Sequence, residues 1–215
     1  MARTLAEHES LALLREQGIP TVEEVVVDGP AAAVAAADRL GYPAVVKATG
    51  AGLAHKSERG LVRLGLRAAA DVEAAAAELL DAAGGADGPA QLVVAPMVAG
   101  RRELFAGAHD DPQFGPAVVV GIGGVFAEAV RDVSFRLAPV SSLDAHEMIG
   151  DLRSLGYLGP FRGEPAVDRE QLADVLLALS DLITRRADVA AVDVNPLVVV
   201  DGAPVAVDAL VELRS

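Results

Sequence analysis

Apolar positions along the chain alternate between a helical spacing and a two-residue spacing, and the switches between the two mark its elements. Leu11 and Leu14 share one helical face, Thr4 with Glu7 predicts a capping box, and Gly18 followed by Pro20 ends the helix. TVEEVVV (Thr21 to Val27) predicts a strand, and Pro30 to Leu40 an alanine-rich helix closed by Gly41. PAVVKA (Pro43 to Ala48) predicts a short buried strand, and LVRLGLR after Gly60 alternates with period two, as a further strand does. Asp71 to Ala83 predicts a second alanine-rich helix, followed by the linker-like GGADGP. Strands are then expected at Gln91–Val98, Glu103–Ala108 and Ala117–Gly121, before a glycine loop GIGG. Ser141 and Asp144 cap a helix running to about Gly150, and Leu152 to Pro165 reads mostly as loop. Asp168 opens a helix with Leu172, Val175, Leu176, Leu179, Leu182 and Ile183 on one stripe. Two strands close the pattern, Ala190–Val200 and Ala203–Val211, joined by a turn at Asp201-Gly202. The alternation of helix and strand predicts an α/β chain.

Composition changes this picture in three ways. Apolar residues make up 52% of the 215, but aromatics only 3%, so the core must be built from Ala, Val and Leu. A net charge of −13 argues against a general nucleic-acid or anionic-membrane surface, yet leaves room for a nucleotide, which needs only a few local cations. With no cysteine there is no thiolate metal site and no thiol nucleophile. MARTLAEHESL lacks the apolar centre of a signal peptide, and no apolar run approaches the ~20 residues of a membrane span. The expected location is cytoplasmic.

GAGLAHKS, Gly50 to Ser57, comes within one residue of a Walker A loop, with His55 in place of the second glycine. A P-loop works because backbone N–H groups and a following helix N-terminus point at phosphate. Here Ser57 is followed by Glu58, Arg59, Gly60 and an alternating strand, so no helix starts. The segment reads instead as a glycine loop between two strands, able to close over a triphosphate. GIGGVF lacks the last glycine of a dinucleotide fingerprint.

Lys47 ends the apolar run Ala44-Val45-Val46, where an ammonium either meets an anion or snorkels out at the strand end. Asp193, Asn195 and Asp208 fall on the two closing strands, and a turn at Asp201-Gly202 sets Asn195 nearly opposite Asp208. Such hard oxygen donors suit Mg²⁺; the alternative is that they are solvent-facing strand residues.

Together these features resemble the ATP-grasp β subunit of ADP-forming acyl-CoA synthetases, the acetyl-CoA synthetase branch related to succinyl-CoA synthetase. The motifs carrying the resemblance are GYPAVVKATGAGLAHKSERGLVRLGL, APMVAGRRELFAG, DPQFGPAVVVGIGGVFAEAVRDVSFRLAPV and AVDVNPL…VAVDA, in one order over nearly the whole chain. The resemblance implies an ATP-grasp fold, two lobes gripping a nucleotide, with a small lobe over residues 20–96 and a large one over 1–19 plus 97–215. It also implies that Lys47 contacts the phosphates, that the hinge Ala95, Pro96, Met97 and Val98 receives adenine, and that Glu103 takes the ribose hydroxyls. Gly123 and Gly124 would open space for a phosphate-bearing loop, Arg136 is a further anion-binding candidate, and Asn195 with Asp208 matches the Mg²⁺ ligands.

The reaction so implied is acyl-CoA + ADP + phosphate ⇌ carboxylate + CoA + ATP, through an acyl phosphate and a phosphohistidine. His55 corresponds to the second histidine, which takes phosphate from one on the α subunit. A neutral imidazole is a competent nucleophile for that step. The CoA-binding and acyl-handling modules are not in this chain, so the resemblance implies an α-subunit partner, as a heterotetramer. Leu61, where relatives often carry a second glycine, and Ala95, where the succinyl branch has an acidic residue, depart from the pattern. Two other functions fit the same residues: a Mg-ATP-sensing regulatory subunit without chemistry, and a stand-alone ATP-grasp carboxylate–amine ligase.

Overall fold

A computed structural model describes residues 3–50, 60–83, 90–124 and 131–214. The chain divides into two compact units, Val22–Met97 and Met1–Thr21 with Val98–Ser215.

In the smaller unit, small residues decide the packing. Strands β2 (Val25–Val27), β3 (Ala44–Thr49), β4 (Val62–Leu66) and β5 (Gln91–Pro96) form an antiparallel sheet in the order β2-β5-β3-β4. Helices α2 (Pro30–Leu40) and α3 (Ala69–Ala83) cover one face, burying Ala33, Ala37, Val72, Ala76 and Leu79 against Ala44, Val46, Ala48, Leu92 and Val94. Alanine on both helices lets their backbones come close to the sheet, so a core with few aromatics still fills its space. Pro30 starts α2 and Gly41 ends it in a left-handed conformation, φ 101°, with its N–H on Ala37 O at 2.8 Å. The alternation of β3 sends Val45, Lys47 and Thr49 to the face away from the helices.

The larger unit is a seven-stranded antiparallel sheet. It is made of β1 (Arg3–Thr4), β6 (Arg102–Asp111), β7 (Gly115–Ile122), β8 (Val133–Leu137), β9 (Val189–Val200), β10 (Ala203–Ala206) and β11 (Ala209–Leu213). The order is β1-β11-β9-β6-β7-β8, with β10 also paired to β9. Helix α6 (Arg169–Arg185) packs on β6, β7 and β9, and its stripe of Leu172, Val175, Leu176, Leu179, Leu182 and Ile183 is buried. Helix α4 (Ser142–Gly150) packs on α6, and α1 (Glu7–Glu16) on β11, where the fully buried Ser10 hydroxyl accepts the Val211 N–H at 3.1 Å.

Several expectations shift. Helix α1 begins after Ala6, not Thr4: Glu9 Oε2 accepts the Ala6 N–H at 2.9 Å, while Thr4 pairs with Glu212 in the sheet. The strand expected from Thr21 shrinks to Val25–Val27, and Thr21 instead bridges Ala206. Strand β8 was not anticipated, because it carries its apolar residues outward: Val133, Phe135 and Leu137 are exposed while Ser134 is buried. The closing strand splits into β10 and β11 at Val207-Asp208, and Leu155–Leu158 forms a short helix, α5.

Segment 152–165 is pinned at its start by Asp132, which is 4% exposed and precedes β8. Its carboxylate accepts the backbone N–H groups of Arg153 at 2.8 Å and Ser154 at 2.6 Å. Burial alone would push this carboxyl up, but the hydrogen bonds from Arg153 and Ser154 outweigh it and hold the pKa below the usual range. A depressed native pKa contributes stability that is present above the unfolded value of about 3.9 and lost as pH falls through the native one. Asp132→Asn turns one acceptor oxygen into a donor facing an N–H and is expected to cost about 1–3 kcal/mol at pH 7. Thermal melts of the two proteins should converge as pH falls below about 4; a gap that stays constant would contradict this role.

Candidate functional site

The residues expected to bind a nucleotide and metal sort by unit. In the smaller unit, Lys47 on β3 stands opposite Val93 of β5, and Ala95 lies two residues further along the same face. Lys47 is 8% exposed, and its Nζ pairs with Glu24 Oε1 at 3.3 Å. The ammonium therefore neither snorkels out nor is buried without an anion; an acidic side chain from just before β2 holds it on the sheet. Glu24 was not singled out by the sequence, where it reads as one more position in TVEEVVV. The signal available was a second charge among apolar neighbours, Glu24 before Val25, matching the oddity of Lys47.

The expected hinge begins inside β5. Ala95 sits within the β3–β5 ladder opposite Val45, Pro96 ends the strand, and the Met97 N–H donates to Pro43 O at 2.8 Å. Val98 begins the larger unit. Pro96 has no N–H, and that of Met97 is used within its own unit.

In the larger unit, Glu103 lies near the start of β6, opposite Val198 of β9. Its carbonyl accepts the Gly123 N–H at 2.8 Å, and its own N–H donates to the Tyr157 hydroxyl at 3.0 Å. Both glycines are required by that closeness. A Cβ at Gly123 would stand 2.9 Å from the Leu104 carbonyl, and one at Gly124, where φ is +78°, would stand 3.3 Å from Glu103 Oε2. The chain after β7 thus folds onto Glu103 because Gly123 and Gly124 lack side chains.

Asn195 and Asp208 are brought together as the turn predicted. Ala206 pairs with Leu197 in β10 and Ala209 with Val194 in β11, so Asn195 and Asp208 face each other between the two ladders. The Asn195 N–H donates to Asp208 O at 3.2 Å, and the Val207 N–H to Pro196 O at 3.1 Å. On its other side β9 carries a bulge here: it advances from Leu197 to Val194 while β6 advances only from Leu104 to Ala106. The amide oxygen of Asn195 and the carboxylate of Asp208 are donors of the kind Mg²⁺ takes, one or two protein oxygens with phosphate and water completing the shell. Asp193 lies two residues along β9 on the same face and is exposed. It borders a hollow lined by Phe105, Val119 and Leu210, and desolvation there raises its carboxyl above the usual range. Among the described residues no three His, Asp or Glu side chains gather into a metal site on their own.

Arg136 is engaged elsewhere, on Asp151 Oδ2 at 2.6 Å, which weakens it as an anion site. His55 lies outside the described residues. Arg102, the residue before Glu103, is 3% exposed and gathers residues 157–165 around its guanidinium. Neither Arg102 nor Tyr157 was legible as part of the site, because the segment that joins them reads as loop. No helix among the described residues is long and apolar enough to cross a membrane.

Comparison with known proteins gives the family. Residues 1–213 match the family model of the ATP-grasp domain. The β subunit of acetate–CoA ligase [ADP-forming] I of Pyrococcus furiosus is 34% identical over 210 residues, covering 96% of this chain and 90% of that subunit. Acetate–CoA ligase [ADP-forming] I of Archaeoglobus fulgidus is 36% identical over 203 residues, covering 93% of this chain but only 30% of that longer protein. Among solved structures, the dinucleotide-forming acetyl-coenzyme A synthetase 1 of Ca. Korarchaeum cryptofilum superposes with a TM-score of 0.92 at 33% identity, covering 99% of this chain and 94% of that one. Another structure of the same synthetase, TM-score 0.85 at 34% identity over 98% of this chain and 93% of that one, holds coenzyme A and Mg-AMPPCP, its phosphohistidine segment pointing towards the nucleotide binding site. The chain belongs to the ATP-grasp domain family, among the β subunits of the ADP-forming acetate–CoA ligases.

Proposed function

We propose that this chain is the nucleotide-binding, phosphoryl-transferring subunit of an ADP-forming acyl-CoA synthetase. It catalyses acyl-CoA + ADP + phosphate ⇌ carboxylate + CoA + ATP with a separate α subunit that handles CoA and the acyl group. The observation that carries the reading is the facing pair Asn195 and Asp208, on a chain similar over nearly its whole length to such β subunits. In the Archaeoglobus relative, the matched part is under a third of one longer chain. This supports a division of labour in which the remaining modules come here from a partner subunit. The relatives lend no support to a purely regulatory subunit or to a carboxylate–amine ligase.

Each residue then has a task its chemistry suits. The backbone of Ala95, Pro96, Met97 and Val98 receives adenine. With Pro96 lacking an N–H, that of Met97 on Pro43 and Ala95 in its ladder, the donor falls to Val98. Glu103 accepts the ribose hydroxyls, Lys47 meets the phosphates, and Gly123 and Gly124 keep the nearby loop free of side chains. Asn195 and Asp208 would hold Mg²⁺, which when bound offsets the charge of the phosphates.

His55 carries the phosphoryl group. Its neutral imidazole nitrogen attacks the phosphorus of the partner's phosphohistidine, and the partner's imidazole leaves with the electron pair of the broken P–N bond. The terminal phosphate oxygen of ADP then attacks the same phosphorus, the His55 P–N bond breaks, and ATP forms as His55 regains a neutral ring.

Mg-ADP at about a hundredfold excess over Kd is expected to add roughly 2.7 kcal/mol. For a chain of this size that is a rise of several degrees, at about 2–4 °C per kcal/mol, in a thermal-shift measurement. Asp208→Asn should lose the Mg²⁺-dependent part of the rise; a wild-type rise that ignores Mg²⁺ would count against the metal pair. His55→Ala should keep the rise and abolish turnover in the presence of the α subunit. Synthesis of acyl-CoA by this chain alone would contradict the need for a partner.

A further inference from the structure

The main chain of Glu103 is held in a closed circuit of hydrogen bonds that a strand position does not need. Its neighbour Arg102 turns inward, 3% exposed, and donates Nε to Glu164 Oε2 at 3.2 Å and Nη1 to the carbonyls of Gly159 at 2.9 Å and Tyr157 at 3.3 Å. Nη2 donates to Pro165 O. The planar fork of a guanidinium suits this task, gathering several oxygens at fixed angles and offsetting its own desolvation through one carboxylate and three carbonyls. The Tyr157 backbone gripped by Arg102 carries the hydroxyl that accepts the Glu103 N–H at 3.0 Å. The circuit runs from Arg102 to Tyr157 and back to the next residue in the chain.

On the opposite side the Gly123 N–H reaches the Glu103 carbonyl at 2.8 Å, and Gly124 leaves only enough room for the carboxylate beside it. Glu103 is therefore fixed through its N–H, its C=O and the space around its side chain. A carboxylate that only needed to be exposed and negative would not require this. One that must present two oxygens to two vicinal hydroxyls would, because such pairs tolerate little displacement.

We propose that Tyr157, clamped by the buried Arg102, is a positioning residue that sets the sugar selectivity of the nucleotide site by holding the backbone of Glu103. The proposal rests on the reading of Glu103 as the ribose-binding carboxylate, and it assigns segment 157–165 a role in specificity.

The test compares the affinity of the full chain for ADP and for 2′-deoxy-ADP, which lacks one of the two hydroxyls, by titration calorimetry. Tyr157→Phe removes one hydrogen bond and should weaken ADP about fivefold while changing 2′-deoxy-ADP less than about twofold. Loss of fold integrity alone would weaken both equally. Glu164→Gln, a partly exposed outer partner of Arg102, keeps the Tyr157 hydroxyl and should give a smaller loss of the same selective kind. It carries the test if Tyr157→Phe does not fold.

Glu103→Ala separates this proposal from the reading beneath it. If it collapses the preference for ADP while the Tyr157 and Glu164 variants leave the preference intact, or weaken both nucleotides alike, the positioning role is overturned. If Glu103→Ala leaves the preference unchanged, the ribose reading fails and the proposal falls with it.

Discussion

The larger unit depends on the register of one strand. β9 pairs with β6 on one side and with β11 and β10 in turn on the other, and its side chains alternate between the α6-facing core and the open face. Val192, Val194, Leu197 and Val199 are buried, which locks the register, because a slip of one residue would send each of them to the other face. Once that is settled, Asn195 stands opposite Asp208, and Val198 stands opposite Glu103 with no further instruction. The bulge against β6 falls at Asn195-Pro196, where proline has no N–H to give the ladder. The candidate metal pair therefore sits where the pairing of β9 with β6 is broken, and the hydrophobic core on either side bears the cost.

The smaller unit works under a different constraint, the shortage of large side chains. Its helices bury alanines against a sheet of alanine, valine and leucine, so close approach replaces bulk. That arrangement leaves the opposite face of β3 and β5 to carry polar function without disturbing the core, and Lys47 uses it, with Glu24 supplying the counter-charge. In both units the helices occupy one face of the sheet and the candidate residues the other.

Much of this was legible in the sequence because it followed from period and punctuation. The alanine-rich helices, the Asp168 cap of α6 and the Asp201-Gly202 turn are local signals, and the turn carried the pairing of Asn195 with Asp208 with it. What was not legible depends on contacts between distant segments. The Arg102 to Tyr157 circuit joins residues 55 apart through backbone carbonyls, which any sequence supplies. Asp132 binds N–H groups 21 and 22 residues away, again without a side-chain partner whose identity gives it away. β8 escaped because it reverses the usual sense of alternation, with Phe135 outward and Ser134 inward. Thr4 misled because Ala6, which has no capping oxygen, starts α1 with help from Glu9.

The central claim is that phosphoryl passes through this chain on its way to ADP. The most direct measurement supplies acetyl-CoA and radiolabelled phosphate to the chain with its α subunit, withholds ADP, and maps the label. The account predicts acid-labile, base-stable label on the peptide containing His55, and its transfer to ATP when ADP is added, no more slowly than turnover. Label confined to the α subunit and passed to ADP without ever resting on this chain would contradict it.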